Sequence, residues 1–319
     1  MNVAVVIIGR NEGARLEACL ASLKGRGLRL VYVDSGSSDG SVAAARAVGA
    51  EVVELDRTTP FTAARARNAG FDALGADLPY AVQFIDGDCI VEPGWIEAAV
   101  AALAADSSLG LVTGWRSEIH PEASVYNALC NHEWHRPAGE IPACGGDMLL
   151  RVAAYRAVGG FDGQIIASED EEFCQRLRKA GWRLMRLPLP MTRHDAAMTR
   201  FGQWWRRAVR SGHGFAQVGD MHPGYFARER ARVWAYGLAL PVLAVAGLIW
   251  WPLLVAVLAV YALSYAKTAQ GLREGGMGTR AALHQAMFLS LSKFPNLIGM
   301  LTYKLRKWQG VAMQIIEYK

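Results

Sequence analysis

The chain has 319 residues, 52% of them hydrophobic and 20% charged, enough for one large domain or two modest ones. Its formal charge of +5 and pI near 9.0 suit an anionic ligand or an anionic membrane surface. It shows no helix-turn-helix pattern, zinc-finger pattern or dense basic arm, which argues against a nucleic-acid partner. The mean hydropathy of +0.13 is high for a soluble enzyme, and the apolar excess is concentrated after Trp234. Five cysteines occur without Cys-x-x-Cys spacing, which fits reduced thiols better than a disulfide framework or a zinc site. The first residues read directly as a strand and lack the features of a signal peptide. Roughly the first two hundred residues are therefore expected to stay in the cytoplasm.

In chain order, short β-branched runs at 3–8, 28–33, 51–55, 80–85 and 109–113 alternate with helical patterns at 14–23, 41–48, 62–74 and 94–104. Such alternation predicts an α/β domain with a parallel sheet, whose ligand crevice lies at the carboxyl ends of the strands. Those ends carry Gly9-Arg10-Asn11-Glu12, Asp34-Ser35-Gly36-Ser37 and Asp86-Gly87-Asp88. The last is an ordinary turn signal, but two carboxylates around a glycine are also suited to a divalent cation that clamps a diphosphate. The first strand is not followed by Gly-x-Gly-x-x-Gly, which counts against a dinucleotide-binding domain.

The middle of the chain, about 126–193, is less regular. It holds Cys144-Gly145-Gly146-Asp147, Gly159-Gly160-Phe161-Asp162 and an acidic helix start at Ser168-Glu169-Asp170-Glu171-Glu172. Serine before a run of acids is a sound helix start by itself, yet one of these acids is placed to serve as a general base. A strand is expected at 182–188, and a basic aromatic helix follows from Phe201 to Arg210.

Residues 234–266 are almost wholly apolar, and Trp250-Trp251-Pro252 divides the run near its middle. One long tilted helix and a helical hairpin both accommodate it. Arg228, Arg230 and Arg232 before it, and Lys267, Arg273 and Arg280 after it, favour a hairpin with both flanks on the cytoplasmic side. The segment 279–310 reads as an amphipathic interfacial stretch.

Taken together, the ordered motifs resemble those of the family 2 glycosyltransferases, which have the GT-A fold. The resemblance covers about residues 3–194 and rests on Ile8 to Glu12, Val33 to Gly40, Ala66 to Gly70, Asp86-Gly87-Asp88, Gly145-Gly146-Asp147 with Gly159 to Asp162, and Glu169-Asp170 with Arg176-Leu177. It implies that Ile8, Gly9, Arg10, Glu12, Asp34, Ser35, Gly36 and Asp39 hold the nucleoside of a sugar donor, and that Arg67 and Asn68 lie near the nucleotide. It also implies that Asp86, Gly87 and Asp88 serve ribose and a divalent metal (Mg²⁺ or Mn²⁺), with His194 completing the coordination. Asp170 matches the catalytic base of an inverting transfer. Gly145, Gly146, Asp147 and Glu169 match the acceptor side. Gln203 to Arg207 loosely resembles the Gln-x-x-Arg-Trp motif of processive synthases, but Arg207 stands where that motif has tryptophan. Arg206 and Arg207 are left as candidates for the donor diphosphate or for anionic lipid. His132, Trp134 and His135 remain unassigned.

The sequence thus predicts a GT-A catalytic domain over 1–225 and membrane-associated helices over 226–319. The expected enzyme is inverting and metal-dependent, with a UDP-sugar as the favoured donor. Its acceptor is a hydroxyl of a lipid-linked or other membrane-borne glycan in exopolysaccharide or envelope-glycan synthesis, at the cytoplasmic face of the inner membrane. The alternatives are a polyprenyl-phosphate glycosyltransferase and a catalytically silent binding protein of the same fold.

Overall fold

The computed structural model describes residues 2–317. The chain divides into two compact units, 1–197 and 198–319.

In the first unit the described residues form β1 (Val3–Gly9), α1 (Ala14–Leu23), β2 (Arg29–Asp34), α2 (Ser41–Ala47), β3 (Glu51–Glu54), α3 (Ala63–Asp72), β4 (Ala81–Asp86), β5 (Cys89–Val91) and α4 (Trp95–Ala105). There follow β6 (Leu109–Glu118), α5 (Val125–Trp134), β7 (Gly139–Glu140), β8 (Met148–Arg151), α6 (Val152–Ala157), α7 (Glu169–Lys179) and β9 (Arg183–His194). The strands make one nine-stranded sheet in the order β3-β2-β1-β4-β8-β6-β9-β5, with β7 paired to β9.

The expected parallel sheet is found among β1 to β4, and β6 and β9 also run parallel. Strand β8 runs antiparallel to both β4 and β6, and β5 antiparallel to β9, so the sheet is mixed. The reason lies in the connection. The stretch 141–147 leads into β8 without the crossover helix that a parallel neighbour of β4 requires. The strand expected at 109–113 continues to Glu118, and the one expected at 182–188 continues to His194. These extensions pair with each other through irregular register.

Both sheet faces are covered. In β1, Ala4, Val6 and Ile8 join the core under α3, α6 and α7, while Val5 and Ile7 join the core under α1 and α4. This period-2 division is why the strand reads as a continuous apolar run. Gly70 on α3 faces Val6 and Val33 so closely that a Cβ there would overlap Val6, so the helix lies directly on the sheet.

The second unit contains α8 (Phe201–Met221), α9 (Ala227–Trp234), a π-helical turn (Ala235–Ala239), α10 (Leu240–Gly247), α11 (Trp251–Glu274), α12 (Thr279–Leu291) and α13 (Lys293–Gln309). The division at 197/198 precedes the expected boundary at 225 because α8 belongs to the helical unit. Gly212 of α8 lies against the Asn296 backbone of α13, and Gly299 of α13 against the Val209 backbone of α8, leaving no room for a Cβ on either. The expected interfacial stretch over 279–310 is two helices. The apolar side of α13, with Leu297, Met300 and Tyr303, is buried with Ala216 of α8 and Val233 of α9. The run over 234–266 is broken at Leu248 to Trp250, with Pro252 in the first turn of α11. By length and composition, α11 is the single candidate membrane span among the described residues.

Candidate active site

Parallel pairing fixes the crevice. Gly9 lies opposite Asp34 and Ile8 opposite Asp86, so the ends of β1, β2 and β4 adjoin, and the Gly87 N–H donates to the Ile8 carbonyl at 2.8 Å. A side chain at Gly87 would press on that carbonyl and on Glu12. The loops after β1 and β2 are laced together: the Asn11 N–H donates to Ser37 Oγ and the Ser38 N–H to Asn11 Oδ1, both at 2.8 Å. Asn11 adopts φ 55°, a backbone region in which asparagine is among the better-tolerated residues.

Asp34 is buried and accepts from the backbone N–H of Gly36 and Ser37 and from the Tyr32 hydroxyl. It therefore shapes the loop containing Ser35 and Gly36. Exposed Asp39 accepts from the Ser41 N–H, and its hydrogen bonding with the Ser41 hydroxyl holds its carboxyl below the ordinary range. Arg10 lies over the Phe61 ring, and Glu12 pairs with Arg15 at 2.8 Å.

Arg67 is the central cation of the site. Reaching from α3, it pairs with Glu169 at 2.8 Å and Asp86 at 3.1 Å, and is almost wholly buried. Burial works against its charge, but Asp86 and Glu169 outweigh that and hold the guanidinium well above its usual value. Gly146 lies against this guanidinium, where even a Cβ would collide. Asp86 is flanked on its other side by Arg116 at 3.8 Å, yet burial still raises its carboxyl above the usual range.

Asp88 and His194 meet at 3.2 Å between Oδ1 and Nε2 because β5 pairs with β9, setting Cys89 opposite His194. Candidate ligand atoms of Asp86, Asp88, Cys89 and His194 lie within 4.8 Å of one another. His194 is buried, its Nδ1 has no hydrogen-bond partner, and its ring packs edge-on against Trp134 at 4.6 Å. Two carboxylates and an imidazole suit Mg²⁺ or Mn²⁺. Burial and neighbouring Asp147 push the Cys89 thiol well above its ordinary range, so it stays protonated and the hard oxygen donors dominate.

Asp170 lies at the start of α7 beside Arg67. Burial, with Glu169 and Glu171, pushes its carboxyl up to about 8, against the opposing pull of Arg67 and a hydrogen bond from the Glu171 N–H. Gly145 borders it: a Cβ there would stand 3.7 Å from Asp170 Oδ2. The helix start differs from the expected serine cap. Ser168 has φ 59° and makes no side-chain cap bond, so a strained residue introduces the acidic turn.

Two expected site residues take other places. Asp147 is buried beneath the loop, paired with Arg116 at 2.8 Å and accepting from Thr192 Oγ1 at 2.7 Å, so it supports the site from below rather than facing an acceptor. Asn68 clips the loop after α6: it donates to the Phe161 carbonyl and accepts from the Phe161 N–H and the Tyr155 hydroxyl. Arg206 and Arg207 belong to α8 of the second unit.

Sequence reasoning missed Arg116, whose only sign is a cation following an apolar strand. It lies between Asp86 and Asp147 and over the Trp134 ring at 5.4 Å. Trp134, left unassigned from sequence, thus touches both this arginine and His194.

This mixed sheet, with paired carboxylates at its switch point and an acid on the facing helix, is the GT-A arrangement. The family model described as "Glycosyl transferase family 2" matches residues 4–147, and that of "Glycosyl transferase family group 2" matches residues 82–289. The chain belongs to the family 2 glycosyltransferases.

Among curated proteins, it is 31% identical over 237 residues to the pre-mycofactocin glycosyltransferase of Mycobacterium tuberculosis, covering 70% of this chain and 48% of that protein. It is 28% identical over 195 residues to the succinoglycan biosynthesis protein ExoA of Rhizobium meliloti, covering 56% and 59%. The chain thus spans about half the length of these relatives. Among solved structures, the mannosyltransferase PcManGT from Pyrobaculum calidifontis, in complex with GDP-Man and Mn²⁺, superposes with a TM-score of 0.59 at 20% identity, covering 96% of this chain and 87% of that one. Residues 1–349 of S. aureus TarS with UDP give 0.53 at 15% identity, covering 100% and 95%. These likenesses speak for the fold.

Proposed function

We propose that this protein is an inverting, metal-dependent glycosyltransferase. It moves a sugar from a nucleotide-sugar, with UDP favoured, to a hydroxyl of a lipid-linked or other membrane-borne acceptor. The single observation that carries this reading is the pair of opposed functions in one crevice: the Asp86, Asp88 and His194 cluster for the donor, and Asp170 with its raised affinity for protons for the acceptor.

A divalent ion held by Asp88, Asp86 and His194 would offset charge on the departing nucleoside diphosphate. Arg67 and Arg116 orient the Asp86 carboxylate from both sides. The loop containing Ile8, Gly9, Arg10 and Glu12, with Ser35, Gly36 and Asp39, lines the nucleoside side, and Asp34 fixes its shape. Asp170 accepts the proton of the acceptor hydroxyl as that oxygen bonds to the anomeric carbon and the bond from that carbon to the diphosphate oxygen breaks. Attack opposite the leaving group inverts the configuration. Gly145 and Gly146 leave room for the acceptor beside the base, and Glu169 keeps Arg67 in place. The raised carboxyl of Asp170 favours a hydroxyl acceptor over a polyprenyl phosphate, which needs less help from a base.

Support for the donor comes from the nucleotides named with PcManGT and TarS, and for a polysaccharide setting from the name of ExoA. The apolar α10–α11 region supports a place at the cytoplasmic face of the inner membrane. The test uses the full-length protein with a panel of nucleotide-sugars. A donor that binds should stabilise the fold by about 2.7 kcal/mol at a hundredfold excess over its Kd. Transfer to a lipid extract should require Mn²⁺ or Mg²⁺ and yield the opposite anomeric configuration. Metal-independent transfer or retained configuration would refute the mechanism.

A further inference from the structure

Charge is divided unevenly between the two units. Residues 1–197 carry 19 Lys and Arg against 25 Asp and Glu, whereas residues 198–319 carry 15 against 4. The basic unit also holds the most exposed apolar side chains: Ile249 is 94% exposed, Trp308 82%, Leu248 73%, Trp251 72% and Leu263 70%. All of these but Trp308, on α13, belong to the α10–α11 hairpin. From Gly237 to Val260 no residue is charged, and only Trp250 and Trp251 carry a side-chain hydrogen-bond donor.

We infer that this hairpin enters one leaflet of an anionic bilayer and returns to the same side, with its tip left inside the hydrocarbon. The inference rests on the membrane association proposed above and adds a topology to it. Length supplies the first argument. From Ala235 to Gly247 the ascending arm rises about 19 Å, and the apolar part of α11, from Trp251 to Ala266, about 24 Å. The hydrocarbon core is about 30 Å thick, so the ascending arm falls short of crossing it, although α11 over its whole length of 24 residues would reach across.

The turn supplies the second argument. A turn exposed to water on the far side would carry polar residues, but here it reads Leu248-Ile249-Trp250. Part of its backbone is satisfied internally: the Leu248 N–H donates to the Val245 carbonyl, Ile249 to Ala246 and Leu253 to Trp250, and Pro252 has no N–H to satisfy. That economy of free donors is what a turn in hydrocarbon needs. Gly247 lets the arms close, since a Cβ there would meet the Leu254 nitrogen at 2.6 Å.

The base of the hairpin supplies the third. Tyr261 donates to the Tyr236 carbonyl at 2.5 Å, so the two arms reach the same level together. The Tyr236 and Tyr261 rings pack edge-on there at 5.9 Å, and Trp234 and Tyr265 lie nearby in sequence, the residue types favoured at a membrane interface. Exposed Arg228, Arg232, Lys267 and Arg273 lie just outside it in sequence and suit anionic headgroups.

The experiment adds full-length single-cysteine variants to sealed vesicles of phosphatidylcholine and phosphatidylglycerol, followed by flotation and by labelling with a membrane-impermeant maleimide placed outside or enclosed within. The five native cysteines are buried, so the parent protein gives the background. All variants should float with the vesicles. Arg232→Cys and Lys267→Cys should label from outside. Ile249→Cys and, as a second probe, Trp250→Cys should label from neither side until detergent is added. Tip labelling by the enclosed reagent, or Arg232→Cys and Lys267→Cys labelling from opposite sides, would overturn the one-leaflet topology while leaving membrane association standing. Failure of the parent to float would overturn both. Lys267→Gln and Arg273→Gln should each weaken partitioning about fivefold when phosphatidylglycerol is present and little without it. Equal partitioning with and without the anionic lipid would refute the role of the basic collar.

Discussion

Replacing Arg67 by methionine tests the electrostatic account of the site most directly. The substitution keeps volume and stem but removes the one buried cation within 3.1 Å of both Asp86 and Glu169. Glu169 then stays buried without the Arg67 guanidinium, and the charge that opposes protonation of Asp170 is lost. Breaking one partner out of a buried pair costs about 3–5 kcal/mol, because the remaining charge keeps its desolvation cost. The loss should depend on pH in a definite direction. Burial already holds the carboxyls of Asp86 and Asp170 above their ordinary values, so the folded state binds more protons than the unfolded one. Stability therefore falls as pH rises from the ordinary carboxylate range toward about 8, and removing Arg67 deepens that fall. Urea unfolding at pH 5 and pH 8 reads it: the variant should lose more at pH 8. The double variant with Glu169→Gln should recover part of the loss at pH 8. A loss below about 1 kcal/mol at both pH values would refute the reasoning, since that is the scale of exposed pairs.

The remaining predictions concern single groups. Asp170→Asn should lower kcat by about 10²–10⁴ with nucleotide affinity little changed, and kcat/KM of the unmodified enzyme should rise with pH through a midpoint near 8. A flat profile from pH 6 to 9 would exclude Asp170 as the base. Asp88→Asn and His194→Ala should each raise the Mn²⁺ concentration needed for half-maximal activity, on the order of tenfold or more, read by metal titration. Asn68→Ala should cost about 1–3 kcal/mol in urea unfolding, because it leaves the Phe161 N–H unpartnered, while the KM for the donor stays unchanged. Gly70→Ala should destabilise by about 1–3 kcal/mol despite alanine's better helix propensity, because its Cβ would enter the space of Val6.

Much of the catalytic unit was legible along the chain. The run from Val3 to Gly9 is apolar throughout because both its faces are buried, and α1 keeps the expected bounds of 14 and 23. The donor side of the site was also legible, since Gly9, Asp34 and Asp86 each end a strand and parallel pairing must bring such ends together. The mixed half of the sheet, where β5, β7 and β8 run antiparallel to their neighbours, was not legible. Strand direction there depends on a path through an irregular segment that local propensity does not fix.

By itself the sequence determined the strand–helix alternation, the polar strand ends, the acidic start of α7 and the apolar run broken at Trp250, because each follows from local periodicity and residue type. Only the tertiary structure decided which partners each carboxylate meets. Asp147 and Asp88 look alike in sequence. One is used by Arg116 and Thr192 beneath the loop, and the other meets His194 across a strand pairing between residues more than a hundred positions apart. A buried charge takes its role from the partners that desolvation obliges it to find, and those partners come from distant parts of the chain.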